Sequence, residues 1–249
     1  STKDVLALIL AHAGSVEATR GSQNNSLSVA RQILRVRPWH RYCVVEVAAW
    51  RPGRMWLPAR TLRPDLAIVL CVSASHRKSF ASNEEIAAEK VALVRAVLPS
   101  GTAILNADDP LVRTMAGQCR GAVQLFARSP EDVALGARFA YHGEDAGWPG
   151  RFRFQAHDRQ LAAPPGPFLK TQFVGDQWGV AFAAAYAAAR VLGLAEETIY
   201  RGMQVAKPYT ARMEPVALPN GVTFIRDEFK NDPAPFAAAA RFLHRARAK

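Results

Sequence analysis

The chain has 249 residues, of which 49% are hydrophobic and 21% charged, so it fits one large or two small globular domains with a substantial core. No apolar run approaches the roughly 18 residues of a membrane span, and we expect a cytoplasmic protein without one. Three widely spaced cysteines, Cys43, Cys71 and Cys119, favour buried free thiols over disulfides. The net charge of +11 permits nucleic acid or other anionic ligands. The basic residues are scattered, with clusters at 31–41 and 241–249, and form no nucleic-acid motif, so nucleic acid is disfavoured as the main partner.

The first 110 residues alternate between helical and strand-like patterns. Ser82 and Glu85 form a capping box in front of a strong amphipathic helix. The run 66–73 is continuously apolar, as expected for a strand buried on both faces. This alternation predicts an α/β fold with a mainly parallel sheet flanked by helices. The predicted helices are residues 3–13, 28–36 and 83–98, and the predicted strands are 42–48, 66–73 and 102–106.

The second half changes character. Residues 122–170 contain short alternating segments separated by Gly, Pro and Asp, which predicts a small antiparallel β section. An Ala-rich helix over 179–193 should end at Gly193, and a short helix follows at 196–203. A hairpin over 213–226 and a helix that opens at Pro233 complete the chain. We expect residues 1–212 to form one domain and residues 213–249 to begin a second, incomplete one.

Three residues stand where α/β sheets place ligand sites. Glu46 lies in an apolar run, where an unpaired carboxylate is costly unless a cation or an arginine compensates it. His76 follows a buried strand, although an ordinary loop histidine would look the same. Lys90 lies on the predicted helix at 83–98, where pairing of a partly buried lysine with Glu89 or Glu85 is the simpler interpretation.

These residues occur in an order that resembles the Mur ligase family, the ATP-dependent enzymes that join an amino acid or peptide to a carboxylate. The matching features are an acid after a strand (Glu46), a histidine after a Pro-Asp strand (His76), a helical lysine (Lys90) and the Asn-x-Asp-Asp turn at 106–109. The resemblance covers residues ~1–240 and implies the P-loop NTPase-like central domain of that family, followed by the start of its C-terminal α/β domain.

The resemblance also implies roles for individual residues. Glu46 and His76 would hold Mg²⁺, and Lys90, carbamylated in many members, would act with His76 in catalysis. ATP contacts and a substrate contact complete the implied site. The implied ATP contacts are Ser1, Thr2, Asn106, Asp108, Gln177, Arg212 and Asp227, and Asn25 is the implied substrate contact.

Three departures from the family pattern stand out. The chain begins Ser-Thr-Lys-Asp, as if it started within or just after the phosphate loop. The second Asn of the motif near adenine is Ala181, where Gln177 or Trp178 could substitute by hydrogen bonding or stacking. The C-terminal Asn-Ala-Asn-Pro motif is replaced by residues 230–233. We therefore expect the fragment alone to hydrolyse ATP poorly or not at all.

The resulting hypothesis is an ATP-dependent amide-bond ligase that works through an acyl phosphate. Its cofactors would be ATP and Mg²⁺. Its substrates would be an acidic small molecule or polymer precursor of the cell-wall type and an amine. The alternative is a catalytically degenerate nucleotide-binding module or partner subunit. A third possibility, a basic nucleic-acid-binding protein, predicts binding that weakens with salt and ignores Mg-ATP.

Overall fold

The computed structural model describes residues 2–73, 79–128, 135–146, 148, 150–161, 165–229 and 233–246. Most predicted helices and strands are present, although the strands predicted at 42–48 and 66–73 are about half as long as expected. The α-helices are α1 (Thr2–Ala11), α2 (Ser26–Arg35), α3 (Trp56–Leu62), α4 (Asn83–Arg95), α5 (Pro110–Arg113), α6 (Gly179–Val191), α7 (Glu196–Gln204) and α8 (Pro233–Arg245). The strands are β1 (Val16–Ala18), β2 (Tyr42–Val44), β3 (Leu66–Val69), β4 (Thr102–Asn106), β5 (Ala122–Ala127), β6 (Phe139–Asp145), β7 (Phe152–Asp158), β8 (Leu169–Lys170), β9 (Glu214–Ala217) and β10 (Thr223–Arg226).

The main sheet has six strands in the order β3-β4-β5-β6-β7-β8. Strands β3 to β6 are parallel, with Val69 opposite Leu105 and Asn106 opposite Phe126. Strands β6, β7 and β8 are antiparallel. A separate parallel pair, β1-β2, and an antiparallel hairpin, β9-β10, complete the strands described. The predicted α/β fold with a mainly parallel sheet is therefore confirmed.

Three details differ from the predictions. Strand β5 pairs in parallel with β4, so the antiparallel section begins only at β6. Strand β2 ends at Val44, which leaves Glu46 in the loop beyond it. The cysteines are free, but the prediction that they are buried was wrong: Cys43 and Cys71 are exposed and Cys119 is partly exposed. Cys71 is exposed because β3 ends at Val69, before the predicted run does, whereas Cys43 lies within β2 on its exposed side.

The core lies between the sheet and an inner pair of helices. Helix α6 packs against α1 and against strands β4 to β7. Its alanines let it approach closely, and every residue from Phe182 to Ala189 is buried. Gly179, at the start of α6, has no room for a side chain, because a Cβ there would lie 2.5 Å from a ring carbon of Tyr141. Phe242 of α8 is also buried in this core.

The predicted helix caps are present. Ser82 Oγ accepts the Glu85 N–H of α4, and Glu85 Oε2 accepts the Ala81 N–H in return. Gly193 follows the end of α6 with a φ of +81°, the left-handed conformation expected of a glycine there. Within the described residues, no helix is long and apolar enough to cross a membrane.

Candidate active site

The carboxyl ends of β3 and β4 bring together three of the predicted residues, Lys90, Asn106 and Asp108. Because parallel strands end at the same edge of a sheet, the residues after Val69 and Asn106 meet there. The Asn106 side chain is buried, and its Nδ2 donates to Leu70 O at 2.9 Å. Lys90 reaches the same edge from α4, where its Nζ donates to Cys71 O at 2.6 Å. The expected pairing of Lys90 with Glu89 or Glu85 is thus replaced by a bond to the β3 end.

Two aspartates extend this edge towards β5. Asp108 Oδ2 accepts the Arg128 N–H at 3.0 Å, which ties the β4 turn to the end of β5. Asp109 Oδ1 caps α5 through the N–H groups of Leu111 and Val112. Its Oδ2 also accepts the Val72 N–H at 2.6 Å. The side chains of the Asn-x-Asp-Asp turn therefore fix the backbone of three strand ends.

An open cleft lies in front of this edge. It has a volume of about 420 Å³ and is lined by Val72, Asn83, Asn106, Asp108, Asp109, Pro110 and Leu111. Beside it, the carboxylate of Asp176 pairs with the Arg128 guanidinium at 2.8 Å. Burial acts to raise the pKa of Asp176, but the Arg128 hydrogen bond and charge outweigh it and hold this pKa below its usual range. The same hydrogen bond raises the pKa of Arg128, so this pair stays ionised.

Glu46 lies beside Asn24 after the second pair of parallel strands. Asn24 Nδ2 donates to Glu46 Oε1 at 2.7 Å, and the Glu46 N–H donates to Thr19 Oγ1 at 3.1 Å. Asn24 Oδ1 is buried and has no hydrogen-bond partner among the residues described. An amide oxygen without a partner next to a carboxylate is a donor set that suits Mg²⁺, which prefers oxygen ligands and keeps several waters.

Asn25 has a structural role and also lines a second pocket. Its Oδ1 accepts the Ser28 N–H and so caps α2. The pocket has a volume of about 240 Å³ and is lined by Asn24, Asn25, Ser26, Val47, Ala48, Trp50, Arg51, Arg54 and Pro58. The two arginines give it a positive charge. It is therefore suited to a carboxylate or phosphate, which guanidinium groups bind in bidentate fashion.

The Glu46 region and the Lys90 region adjoin each other. Val47, next to Glu46, and Val72, after β3, pack against the same apolar cluster of Ala49, Met55, Phe80 and Ile86. Glu89 is buried, and its carboxylate accepts the N–H groups of Gly53 and Met55. Helix α4 thereby holds the loop that carries Arg51 and Arg54. His76, the predicted metal ligand and catalytic residue, lies outside the described residues.

The predicted nucleotide contacts near the chain start and α6 are only partly placed. Ser1 lies outside the described residues. Thr2 begins α1, and its Oγ1 is buried without a partner in the described part of the chain. Gln177 Nε2 donates to Val174 O at 3.2 Å, whereas its Oε1 is likewise buried and without a partner there. Trp178 is buried against Phe173, with ring centroids 4.8 Å apart, so it does not offer a free face to adenine.

Arg212 and Asp227 lie together in a constrained loop before β9 and after β10. The Arg212 guanidinium stacks on Phe229, 4.3 Å from the ring centroid, and on Tyr209. Asp227 Oδ1 accepts the Met213 N–H at 3.0 Å. Burial raises the pKa of Asp227, although the Met213 N–H and the Arg212 charge oppose this. The flanking residues Ala211 and Met213 both have positive φ, which indicates local backbone strain.

Some residues of the site were missed by the sequence analysis. Asn24 is adjacent in sequence to the predicted Asn25, and the Asn-Asn pair was the available signal. Asp109 was recognised only as part of the turn at 106–109 and Glu89 only as a partner of Lys90, so their bonds to backbone N–H groups were not predicted. Arg128 and Asp176 come from distant segments, and no local pattern could have joined them. Among the described residues, no group of three or more His, Cys, Asp or Glu side chains is arranged to hold a metal ion.

Comparisons with known proteins by sequence and by structure agree on one family. The Mur ligase middle domain matches residues 1–147 of the chain. The chain is 33% identical over 245 residues to the UDP-N-acetylmuramoyl-tripeptide–D-alanyl-D-alanine ligase of Mycobacterium bovis, covering 98% of the chain and 46% of that protein. It superposes on MurF from Acinetobacter baumannii with a TM-score of 0.86 at 26% identity, covering 98% of the chain and 51% of the other. It also shares its fold, at 22% identity and a TM-score of 0.80, with a MurF ligase from Thermotoga maritima crystallised with ADP, covering 98% of the chain and 54% of the other.

These matches agree with the geometry at the sheet edge. The chain spans about half the length of the relatives that it matches. The family profile covers more than half of the chain, and the likeness to MurF extends over nearly all of it. On this evidence the chain belongs to the Mur ligase family.

Proposed function

We propose that this chain is the ATP-binding portion of a ligase that joins an amine to a carboxylate through an acyl phosphate. The observation that carries the proposal is the convergence of Lys90, Asn106, Asp108 and Asp109 at the carboxyl edge of β3 and β4, in a chain of this family. By the same proposal, residues 1–212 are the central domain and residues 213–249 begin a C-terminal domain. Use of ATP favours a cytoplasmic location.

The residues present fit the nucleotide and the metal. Helix α1 offers its N-terminal N–H groups to an anion, and Thr2 Oγ1 at its start needs a polar partner. The unpartnered Gln177 Oε1 is a second such group. Glu46 with Asn24 Oδ1, and with His76, would hold Mg²⁺, which supplies neutralisation of charge on phosphate groups. In the Thermotoga protein of the same fold, the bound nucleotide is ADP.

The proposed reaction has two steps. A substrate carboxylate oxygen attacks the γ-phosphorus of ATP, and the bond to ADP breaks. The amine then attacks the acyl carbon, inorganic phosphate leaves, and the amine loses a proton. The role of Lys90 is positional and electrostatic: held at 2.6 Å from Cys71 O, it lies at the strand edge where anionic groups would gather. Carbamylation would convert it to an oxygen-donor anion beside the metal.

The substrate class follows from the pocket and from the relatives. The Mycobacterium relative is named for a UDP-muramoyl tripeptide and D-alanyl-D-alanine. We propose an anionic precursor of the same class as the carboxylate substrate, bound near Asn25. Arg51 and Arg54 in the pocket beside Glu46 provide the complementary charge. The amine would be an amino acid or dipeptide.

Phosphate release by the complete gene product tests this proposal. Lys90→Ala is expected to lower kcat by about 10²–10³-fold, the typical effect of removing one electrostatic group from an active site. Lys170→Ala is the matched control, since Lys170 is exposed on β8. Intact-mass measurement shows whether Lys90 carries a carbamate. Unchanged turnover in Lys90→Ala would exclude its catalytic role.

The competing interpretation is a degenerate nucleotide-binding module. It is favoured by Ala181 at the position of the family's second Asn and by the burial of Trp178 against Phe173. Calorimetry with Mg-ATP separates the interpretations. A complete product that binds Mg-ATP without releasing phosphate, in the presence of UDP-muramoyl tripeptide and D-alanyl-D-alanine, fits the module; binding together with turnover fits the ligase.

A further inference from the structure

Residues 18–64 carry an unusual share of the charge of the chain. This segment contains nine arginines and a single acid, Glu46, and so supplies a formal +8 of the net +11. Large apolar side chains are exposed in the same segment. We name the part formed by α2, the turn after it and α3 the α2–α3 face. The pocket proposed for the carboxylate substrate borders this face at Ser26 and Pro58, but the residues that carry the inference below line neither that pocket nor the open cleft. The inference does not rest on the proposed function.

Helix α2 presents a fixed apolar and basic stripe to solvent. Its opposite side is anchored, because Val29 and Gln32 are buried and Gln32 Nε2 donates to Glu17 Oε1 at 3.0 Å. Leu27, Arg31 and Leu34 follow the i, i+4, i+7 spacing of one helix side. Leu27 is 62% exposed and Leu34 is 75% exposed. The stripe therefore cannot turn inward without unpacking α2.

The turn after α2 holds a tryptophan out in solvent. The Arg37 Nη1 donates to Leu34 O, and the Arg37 N–H donates to His40 Nδ1, which closes the turn on itself. Ser15 Oγ donates to Trp39 O, which anchors the turn to the loop after α1. The Trp39 side chain nevertheless remains 69% exposed. A rigid backbone that displays an exposed indole is typical of a contact surface, because little entropy is lost when the ring is covered.

Helix α3 continues the same surface, since it packs against α2. Trp56 and Leu57 at its start are both more than half exposed. Arg60 lies over the Trp56 ring, 5.2 Å from its centroid. The Arg31 and Arg35 guanidinium groups make no hydrogen bond or ion pair with any residue that the structure describes. The α2–α3 face thus combines uncompensated guanidinium groups with aliphatic and indole tips.

From these observations we propose that the α2–α3 face docks onto an anionic membrane surface. Tryptophan prefers the headgroup region, leucines can enter the acyl boundary, and arginines pair with lipid phosphates. A nucleic acid would use the arginines and indoles but offers nothing for Leu27, Leu34 and Leu57. Residues 18 to 45 contain arginines but no acid, which matches a partner surface whose charges are all negative.

Vesicle sedimentation of the chain tests the proposal. We expect it to bind vesicles that contain phosphatidylglycerol, to ignore vesicles of phosphatidylcholine alone, and to dissociate at high salt because the charges are screened. Arg31→Glu/Arg35→Glu should lower the partition coefficient by at least about tenfold, given the strength of each basic residue near an anionic bilayer. Trp39→Ser should lower it several-fold and remove the blue shift of tryptophan emission on binding.

The control variant is Arg120→Glu/Lys207→Glu, which makes the same charge change at two exposed positions elsewhere. It should keep most of the binding, and circular dichroism should show that all variants are folded. Three results would overturn the proposal: equal binding to both kinds of vesicle, an equal loss in the control variant, or no vesicle binding together with tight binding of a single-stranded oligonucleotide. The last would indicate that the α2–α3 face recognises nucleic acid.

Discussion

The parallel section, β3 to β5 with α4, and the antiparallel section, β6 to β8 with α6, bury different chemistry. In the parallel section, buried polar side chains such as Asn106 and Glu89 bind the backbone of loops at the strand ends. In the antiparallel section, the core is a cluster of aromatic rings, and the buried carboxylate of Asp158 is paired to arginines. The first section positions the candidate site, and the second supplies the rigid platform behind it. Substitutions in the two sections should therefore differ in kind as well as in size.

The largest effect is expected at the centre of the aromatic cluster. Phe154 is fully buried, and its ring contacts those of Tyr141, Phe152 and Phe182. Phe154→Ala should lower the free energy of unfolding by about 3–5 kcal/mol, because a large cavity is left in a packed core. Urea unfolding measures this. Phe224→Ala, at an exposed position on β10, is the control and should change stability little. Similar losses of unfolding free energy in both variants would contradict the view that the aromatic cluster is the rigid platform behind the site.

The second-largest effect is expected at Asp158, the carboxylate buried in the antiparallel section. Asp158 is completely buried, and its carboxylate accepts from Arg138 Nη2 at 2.8 Å and lies 3.4 Å from Arg190 Nε. Asp158→Ala leaves both guanidinium groups without their partner and should cost about 2–4 kcal/mol, somewhat less than a fully buried pair because the arginines are partly exposed. Glu197→Ala removes an exposed pair with Arg201 and should cost less than about 1 kcal/mol.

The pH dependence of the Asp158 contribution has a definite sign. Burial acts to raise its pKa, but the Arg138 hydrogen bond, the Gln160 N–H and the Arg190 charge outweigh burial and lower it. A carboxylate whose pKa is lower in the folded state stabilises the protein at pH values above its unfolded-state pKa, which is about 3.9 for aspartate. This stability is lost as the pH falls through the folded-state pKa. The Asp158→Ala variant should therefore lose less stability than the parent below about pH 4. An identical acid profile would show that the pKa of Asp158 is the same in the folded and unfolded chain, which would contradict the lowered pKa.

The parallel section was the more predictable of the two. The capping box at Ser82, the strand over 102–106 and the edge position of Asn106 all follow from local patterns of sequence. The convergence of Lys90 on Cys71 O was missed, because a lysine near two glutamates on one helix predicts a local pair. In the antiparallel section, the pairing of Asp158 with Arg138 and Arg190 depends on register and helix packing, which single segments do not encode. The parallel pairing of β5 was missed for the same reason.

Glu89 provides a test of how the parallel section holds its loops in place. Its carboxylate accepts the N–H groups of Gly53 and Met55, so Glu89→Ala leaves two backbone donors without partners and should cost about 1–3 kcal/mol. Hydrogen exchange at residues 53 and 55 should accelerate more than exchange in α6. The control is Glu84→Ala, on the exposed side of the same helix. Uniform acceleration across the chain would mean that Glu89 supports the whole fold rather than this loop.

The smallest effect is expected at Asp227, which follows β10 and belongs to neither section. Burial raises the pKa of Asp227, so its ionisation opposes folding: the parent loses stability as the pH rises from the unfolded aspartate value through the folded pKa. Asp227→Asn keeps an oxygen acceptor for the Met213 N–H and removes that titration. At neutral pH we expect a change within about 0.5 kcal/mol and a flatter stability profile above pH 4. If the variant is instead strongly destabilised, the pairing with the stacked Arg212 charge must outweigh burial, and the constrained loop is held by electrostatics rather than by its backbone hydrogen bonds.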